Sequence, residues 1–327
     1  MPLMNLPPSE QIASRELLDA ADLKIVEALR ENGRMSGRDI ADRSGISEAN
    51  VSRRLTKLVD EGALRVWGFV PPALMGLQAH GMLMLRCKGD PGPTGKRLAM
   101  HPHIHWCGSM FGAFDLVVYY AVAQASDTVT MIDEIMGADS NLASILVAPI
   151  LEVWSPNEIA KVGPVTPVTR RSNDHEFDTV DRGMIRRLQR DGRASFADLA
   201  EAAGISATSA ADRFRRLQAA NVIQIVALPD PARMGDLVQG TVCLRINGSI
   251  RSVMDGVAKL GKSGWICAAG GPFGVIADFF VKDEAQMNTW RSSILQLPGV
   301  AGVEICLNRQ IHRHDYAWDF VDPVPAK

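Results

Sequence analysis

The sequence predicts an α+β fold, made twice in tandem. Two observations carry this. Slid along itself, the 327-residue chain matches at an offset of 159, so that 22–76 aligns with 181–235 without a gap and sixteen of the 55 pairs are identical. Within each copy, apolar residues first recur at helical spacing and then switch to the alternation of strands.

In the first copy, Leu23, Val26 and Leu29 mark a helix that stops at Asn32-Gly33. Ser36 caps a second helix through Ile40 and Ala41 to Ser44, and Gly45 ends it where positive φ costs little. A third helix follows Ser47, a favourable N-cap, and runs towards Gly62 with Val51, Leu55, Leu58 and Val59 on one face. Two helices joined by a tight glycine turn have the spacing of a helix-turn-helix, and the alternating strand from Leu64 to Val70 is expected to supply its wing. Strands are then expected at His80–Cys87, Ile104–Ser109, Asp115–Ala121 and Ser144–Val153, and helices at Thr94–Met100 and Thr128–Met136. The second copy repeats the order with strands at Thr241–Ile246, Trp265–Ala269, Val275–Val281 and Val300–Asn308, and helices at Ile250–Leu260 and Glu284–Leu297. The order βαββαβ is that of a ferredoxin-like sandwich, helices over an antiparallel sheet. The chain thus divides into an arm (1–18), a winged helix-turn-helix (19–70), a βαββαβ domain (76–154), a proline-bearing linker (155–177), a second winged helix-turn-helix (178–229), a second βαββαβ domain (235–315) and a tail (316–327).

Composition narrows the class. Apolar residues make up 46% and charged residues 22%, which is globular rather than disordered. The longest apolar run, Leu116 to Ala123, has eight residues where a membrane span needs about twenty, so no membrane is expected as a partner. With no basic, apolar leader at the start, the expected compartment is the cytoplasm. Five cysteines without a CxxC argue against disulfides and against a zinc site. Net charge is −2, so any affinity for nucleic acid must come from local charge.

The pieces Asp22-Leu-Lys-Ile-Val-Glu-Ala-Leu, Gly45-Ile-Ser47, Val51-Ser-Arg-Arg-Leu55, Leu58, Glu61-Gly62 and Gly112-Ala-Phe-Asp115, in this order, resemble the Lrp/AsnC (feast/famine) transcriptional regulators, here as two fused copies. The resemblance implies double-stranded DNA as one partner, a small-molecule effector such as an amino acid as another, an intramolecular pseudo-dimer, and further self-association. With Val51, Leu55, Leu58 and Val59 inward, the third helix presents Ala49, Arg53 and Lys57 outward, with Ser47, Asn50 and Arg54 beside them. Arg53 can bond guanine bidentately, Asn50 can read adenine, and Lys57 suits a phosphate. In copy two Asp212 stands where Arg53 does, so Thr208, Ser209, Arg213, Arg215 and Arg216 offer mainly phosphate contacts. The resemblance places effector binding near Gly112, Phe114 and Asp115, where the acid can hold an ammonium; copy two lacks that acid, having Gly274. The alternative reading of that turn is a plain hairpin.

His101, His103 and His105 alternate in HPHIHW, but no thiol or carboxylate completes a ligand set, so no metal is expected. G-x-S-x-G, P-loop, Rossmann and HExxH patterns are absent, and neither a cofactor nor catalytic residues are expected. The rival to a regulator is an enzyme. Siroheme decarboxylases resemble the same double architecture, and their chemistry requires basic and histidine side chains around tetrapyrrole carboxylates.

Overall fold

The computed structural model describes residues 16–154, 176–235, 238–315 and 317–321. The expected arm up to residue 15, the linker over 155–175 and the tail beyond 321 lie outside the described residues.

Each copy starts with three helices. In copy one these are α1 (Ala20–Glu31), α2 (Gly37–Ser44) and α3 (Glu48–Asp60); in copy two α6 (Thr179–Arg190), α7 (Phe196–Ala203) and α8 (Ala207–Ala219). Ser36 and Ser195 accept from the Asp39 and Asp198 amides as N-caps, and Gly45 and Gly204 leave α2 and α7 through left-handed φ of 73° and 69°. Ile25, Leu29, Ile40, Val51 and Leu58 are buried as the copy-one core. Two residues of the expected apolar stripes are not: Leu23 is 37% exposed and Val59 46%.

The strand expected as a wing finds its partner in the other copy. β1 (Leu64–Phe69) pairs antiparallel with β6 (Gln224–Pro229) of the other copy, Leu64 facing Pro229 and Phe69 facing Gln224. Two helical heads therefore share one two-stranded ribbon. This explains why Gly33 and Gly192 are identical in the two copies, which the helix-exit reading did not. A Cβ on Gly33 would stand 2.7 Å from the Ile225 carbonyl oxygen, and one on Gly192 2.9 Å from the Trp67 backbone, so the opposite copy's strand passes too close for a side chain.

The remaining strands are β2 (Ala79–Cys87), β3 (Ile104–Gly112), β4 (Leu116–Val122) and β5 (Leu142–Trp154) in copy one, with α4 (Pro91–Leu98) and α5 (Ala125–Ala138). Copy two has β7 (Val238–Ile246), β8 (Ile266–Ala269), β9 (Val275–Val281) and β10 (Val300–His314), with α9 (Ile250–Lys259) and α10 (Glu284–Leu295). They close into one eight-stranded barrel of order β10-β3-β4-β2-β5-β8-β9-β7. Closure is done by the last strand of each copy. β5 pairs with β2 through its first half and with β8 through its second, and β10 does the same with β7 and β3. β10 accordingly runs six residues past the expected Asn308, through irregularities at Asn308/Gln310 and Ile311/Arg313. Alternation sorts the side chains: Met82 and Met84 join Cys243, Cys267, Ile276 and Cys306 in a core between the copies, while Leu83 and Leu85 face the helices.

Part of the expected tail is core. Trp318 is 2% exposed, donates from Nε1 to the Val70 carbonyl at 2.8 Å, and packs with Met184, Ile185 and Leu188 of the second head. Among the described residues no helix is long and apolar enough to cross a membrane.

Candidate nucleic-acid interface

On α3 the outward residues Ala49, Arg53 and Lys57 are exposed. Asn50 is half-buried, and its Oδ1 accepts from Arg53 Nη2 at 2.7 Å, so the two candidate readers hold each other in place. Lys57 lies 3.8 Å from Glu61. Ser47 stands at the N-cap position but makes no side-chain bond to the helix amides, unlike Ser206, whose Oγ accepts from Ser209 at 3.2 Å.

Arg54 is placed otherwise than the sequence suggested. Its Nη1 donates to Asp19 at 2.7 Å and Asp22 at 2.8 Å, tying α3 to the start of α1. Asp19 is held below the usual carboxylate range, first by the Asp22 amide and then by Arg54. Arg213 repeats the arrangement with Asp178 at 2.6 Å and Asp181 at 3.0 Å. Both guanidiniums are latches within their heads, not part of an outward face. On α8 Thr208, Ser209, Arg215 and Arg216 are exposed, and Asp212 pairs with Arg215 at 2.8 Å. The copy-two face thus carries a neutralised ion pair where copy one carries a cation.

The heads are fixed to each other by a reciprocal clamp that sequence reasoning missed. Arg34 donates to the Gly192 and Ala194 carbonyls, both at 2.8 Å, and Arg193 to Gly33 and Met35 at 2.8 and 3.0 Å. The Arg34 guanidinium also stands 5.0 Å from the Phe196 and Phe214 ring centroids. The signal was present in the identical Gly-Arg pairs of the two copies.

The turn with Gly112, Phe114 and Asp115 lies against the other copy. Gly112 has φ 126°, and a Cβ there would collide with the Ile305 carbonyl on β10. Phe114 meets its counterpart Phe273 edge to face, centroids 6.1 Å apart. Asp115 is half-buried and its Oδ2 accepts from the Cys87 amide at 2.8 Å, tying the turn to the end of β2.

Of the HPHIHW histidines, His101 and His103 lie side by side, ring centroids 5.6 Å apart, and the His103 amide donates to His101 Nδ1 at 3.3 Å. His105 is 5% exposed, sits edge-on to Trp318 at 4.4 Å, and is kept neutral by burial, its pKa lowered to about 3. His101 pairs with Glu134 at 3.5 Å. Among the described residues no group of three or more His, Cys, Asp and Glu side chains is placed to hold a metal.

A winged helix-turn-helix DNA-binding model matches residues 18–65, and the AsnC-type helix-turn-helix model matches 177–218. The HTH-type transcriptional regulator FL11 of Pyrococcus horikoshii is 22% identical over 139 residues, 42% of this chain and 92% of that protein. The HTH-type transcriptional regulator LrpA of Mycobacterium tuberculosis is 37% identical over 69 residues, 21% of this chain and 46% of that protein. A proline dehydrogenase transcriptional activator of Rhizobium radiobacter is 53% identical over 45 residues, 14% of this chain and 29% of that protein. Among solved structures, the siroheme decarboxylase NirDL superposes with a TM-score of 0.61 at 14% identity, over 90% of this chain and 92% of that one.

Proposed function

From a chain made of two fused Lrp/AsnC-type units, we propose a DNA-binding transcriptional regulator that answers to a small-molecule effector, an amino acid or related metabolite. The observation that carries the reading is the exposed face of α3, where Arg53 and Lys57 stand out from a head whose neighbouring arginine, Arg54, is already paired. A guanidinium there can bond guanine O6 and N7 while Lys57 takes a phosphate, and Asn50 is in position to share the reading. Copy two contributes phosphate contacts through Arg216, with Arg215 occupied by Asp212. Two unequal heads at a separation set by the β1–β6 ribbon and the arginine clamp call for an operator with one strong and one weak half-site. No step of this reading needs catalysis.

Selection of bound fragments from a random DNA pool, with an absorption spectrum of the purified protein taken alongside, tests it. Enrichment of a motif without a Soret band is expected. A tetrapyrrole band without enrichment would favour the siroheme decarboxylase-type enzyme, a reading supported by likeness of overall shape and weakened by the burial of His105 and the pairing of His101 with Glu134.

A further inference from the structure

A cavity of about 770 Å³ opens between the two heads and the end of β10. Its size suits a small molecule. One wall is apolar and belongs to the reading helix, with Leu55 and the 46%-exposed Val59 of α3. The lining also includes Arg186 and Arg190 of α6, the former with its guanidinium 5.7 Å from the Phe320 ring centroid, and Arg65 of β1. Both α6 guanidiniums are exposed, and Arg190 makes no ion pair among the described residues. Four aspartates also reach the rim. Two are occupied, Asp191 by Arg187 at 3.3 Å and Asp315 between Arg65 and Arg313 at 3.7 and 3.9 Å.

The duplication supplies the control. At the offset of 159, Arg186 and Arg190 correspond to Glu27 and Glu31, Arg65 to Gln224, and Val59 to Gln218. The helices that carry them fold alike and keep their caps and latches, so the fold does not demand the change. Two carboxylates have become two guanidiniums on one side only, in the cavity that is also lined by Val59, the large apolar side chain a reading helix leaves exposed.

We propose that this cavity binds one small amphipathic organic anion per chain, its carboxylate, sulfonate or phosphate head on Arg186 and Arg190 and its apolar body on Leu55 and Val59. Because Leu55, Thr56 and Val59 belong to α3, the ligand touches the reading helix directly, and occupancy biases how that helix is presented. This regulatory half rests on the DNA-binding reading; the binding half does not.

The test uses the intact chain and 8-anilinonaphthalene-1-sulfonate as the probe, followed by calorimetry and fluorescence. One site per chain is expected. R186E/R190E should weaken it tenfold or more, and V59D, in the lining from α3, should do the same, while E27Q/E31Q leaves it unchanged. Melting curves of each variant separate loss of the site from loss of the fold. Two equal sites, no site, or full binding by a folded R186E/R190E protein overturns the proposal. Saturating probe should shift affinity for the selected DNA at least threefold, and an unchanged affinity overturns the regulatory half. A chain that takes up the probe but enriches no DNA overturns the regulator reading alone.

Discussion

The two helical heads differ where they face outward and agree where they hold the molecule together. Gly33/Gly192, Arg34/Arg193 and Arg54/Arg213 are identical pairs, and each does the same job in both copies: close approach to the opposite strand, clamp, and latch. Arg53/Asp212 and the pair Glu27, Glu31 against Arg186, Arg190 have reversed sign. A position kept after duplication is here a structural position, and divergence marks a surface free to take a role. In a single chain the second copy thus serves as an internal comparison for the first.

The strongest way to break this comparison is at the clamp. Arg34→Ala with Arg193→Ala removes four hydrogen bonds from charged donors, and a loss of about 5 kcal/mol is expected in denaturant unfolding, with the heads separating in small-angle scattering. A double variant as stable as the parent would show that the ribbon alone fixes the heads.

Acid should act on copy one first. His105 is buried and His80 half-buried, with pKa lowered to about 3 and about 4, and their copy-two counterparts are Gly264 and Gln239, which do not titrate; His314, also lowered to about 4, stands at the end of β10 where it pairs with β3 of copy one. The unfolded chain binds protons at these histidines below about pH 6.5 and the folded chain does not, so stability is full above that pH and is lost as pH falls towards 4. Between pH 6.5 and 5 His105 and His80 together cost about 3 kcal/mol, and hydrogen exchange should show β2 to β4 opening before β7 to β9. Equal opening in both copies would refute the assignment.

Arg53→Ala should weaken operator binding by about 1–3 kcal/mol and relax one base position, whereas Asp212→Ala leaves the motif unchanged. Arg54→Ala is expected to lower the melting temperature of the first head and to keep its base preference, a split that binding and calorimetry on the same samples would reveal. The smallest effect belongs to Asp115→Asn. The amide oxygen can still accept from Cys87, so stability should move by less than about 1 kcal/mol, and any larger change in effector affinity would give the carboxylate a second role.

Much of the architecture was legible in local pattern: the capped helices, the glycine turns and the βαββαβ order each rest on residues close in sequence. What escaped depends on pairing between positions far apart in the sequence, in different copies. The Leu64–Phe69 strand alternates as a wing would, and nothing local tells that its partner is β6. The end of β10, Asn308 to His314, is polar and bulged because it lies on β3 of the other copy, so its periodicity fades where its pairing begins. Trp318 reads as tail until Val70 and the second head are seen around it. At the interface, Arg54 and Arg213 looked like DNA contacts because only their helix was considered. Their identity across copies whose outward residues diverge was the available sign of a shared latch.

The barrel has no free edge, since β5 and β10 each complete the sheet of the other copy inside one polypeptide. In a two-chain version of this assembly, the paired form would dissociate on dilution and its halves could be traded with any related subunit made in the same cell. Here pairing is intramolecular and indifferent to concentration. The number of competent heads therefore rises in direct proportion to the number of chains synthesised, and the partnership of one particular first half with one particular second half is inherited rather than negotiated.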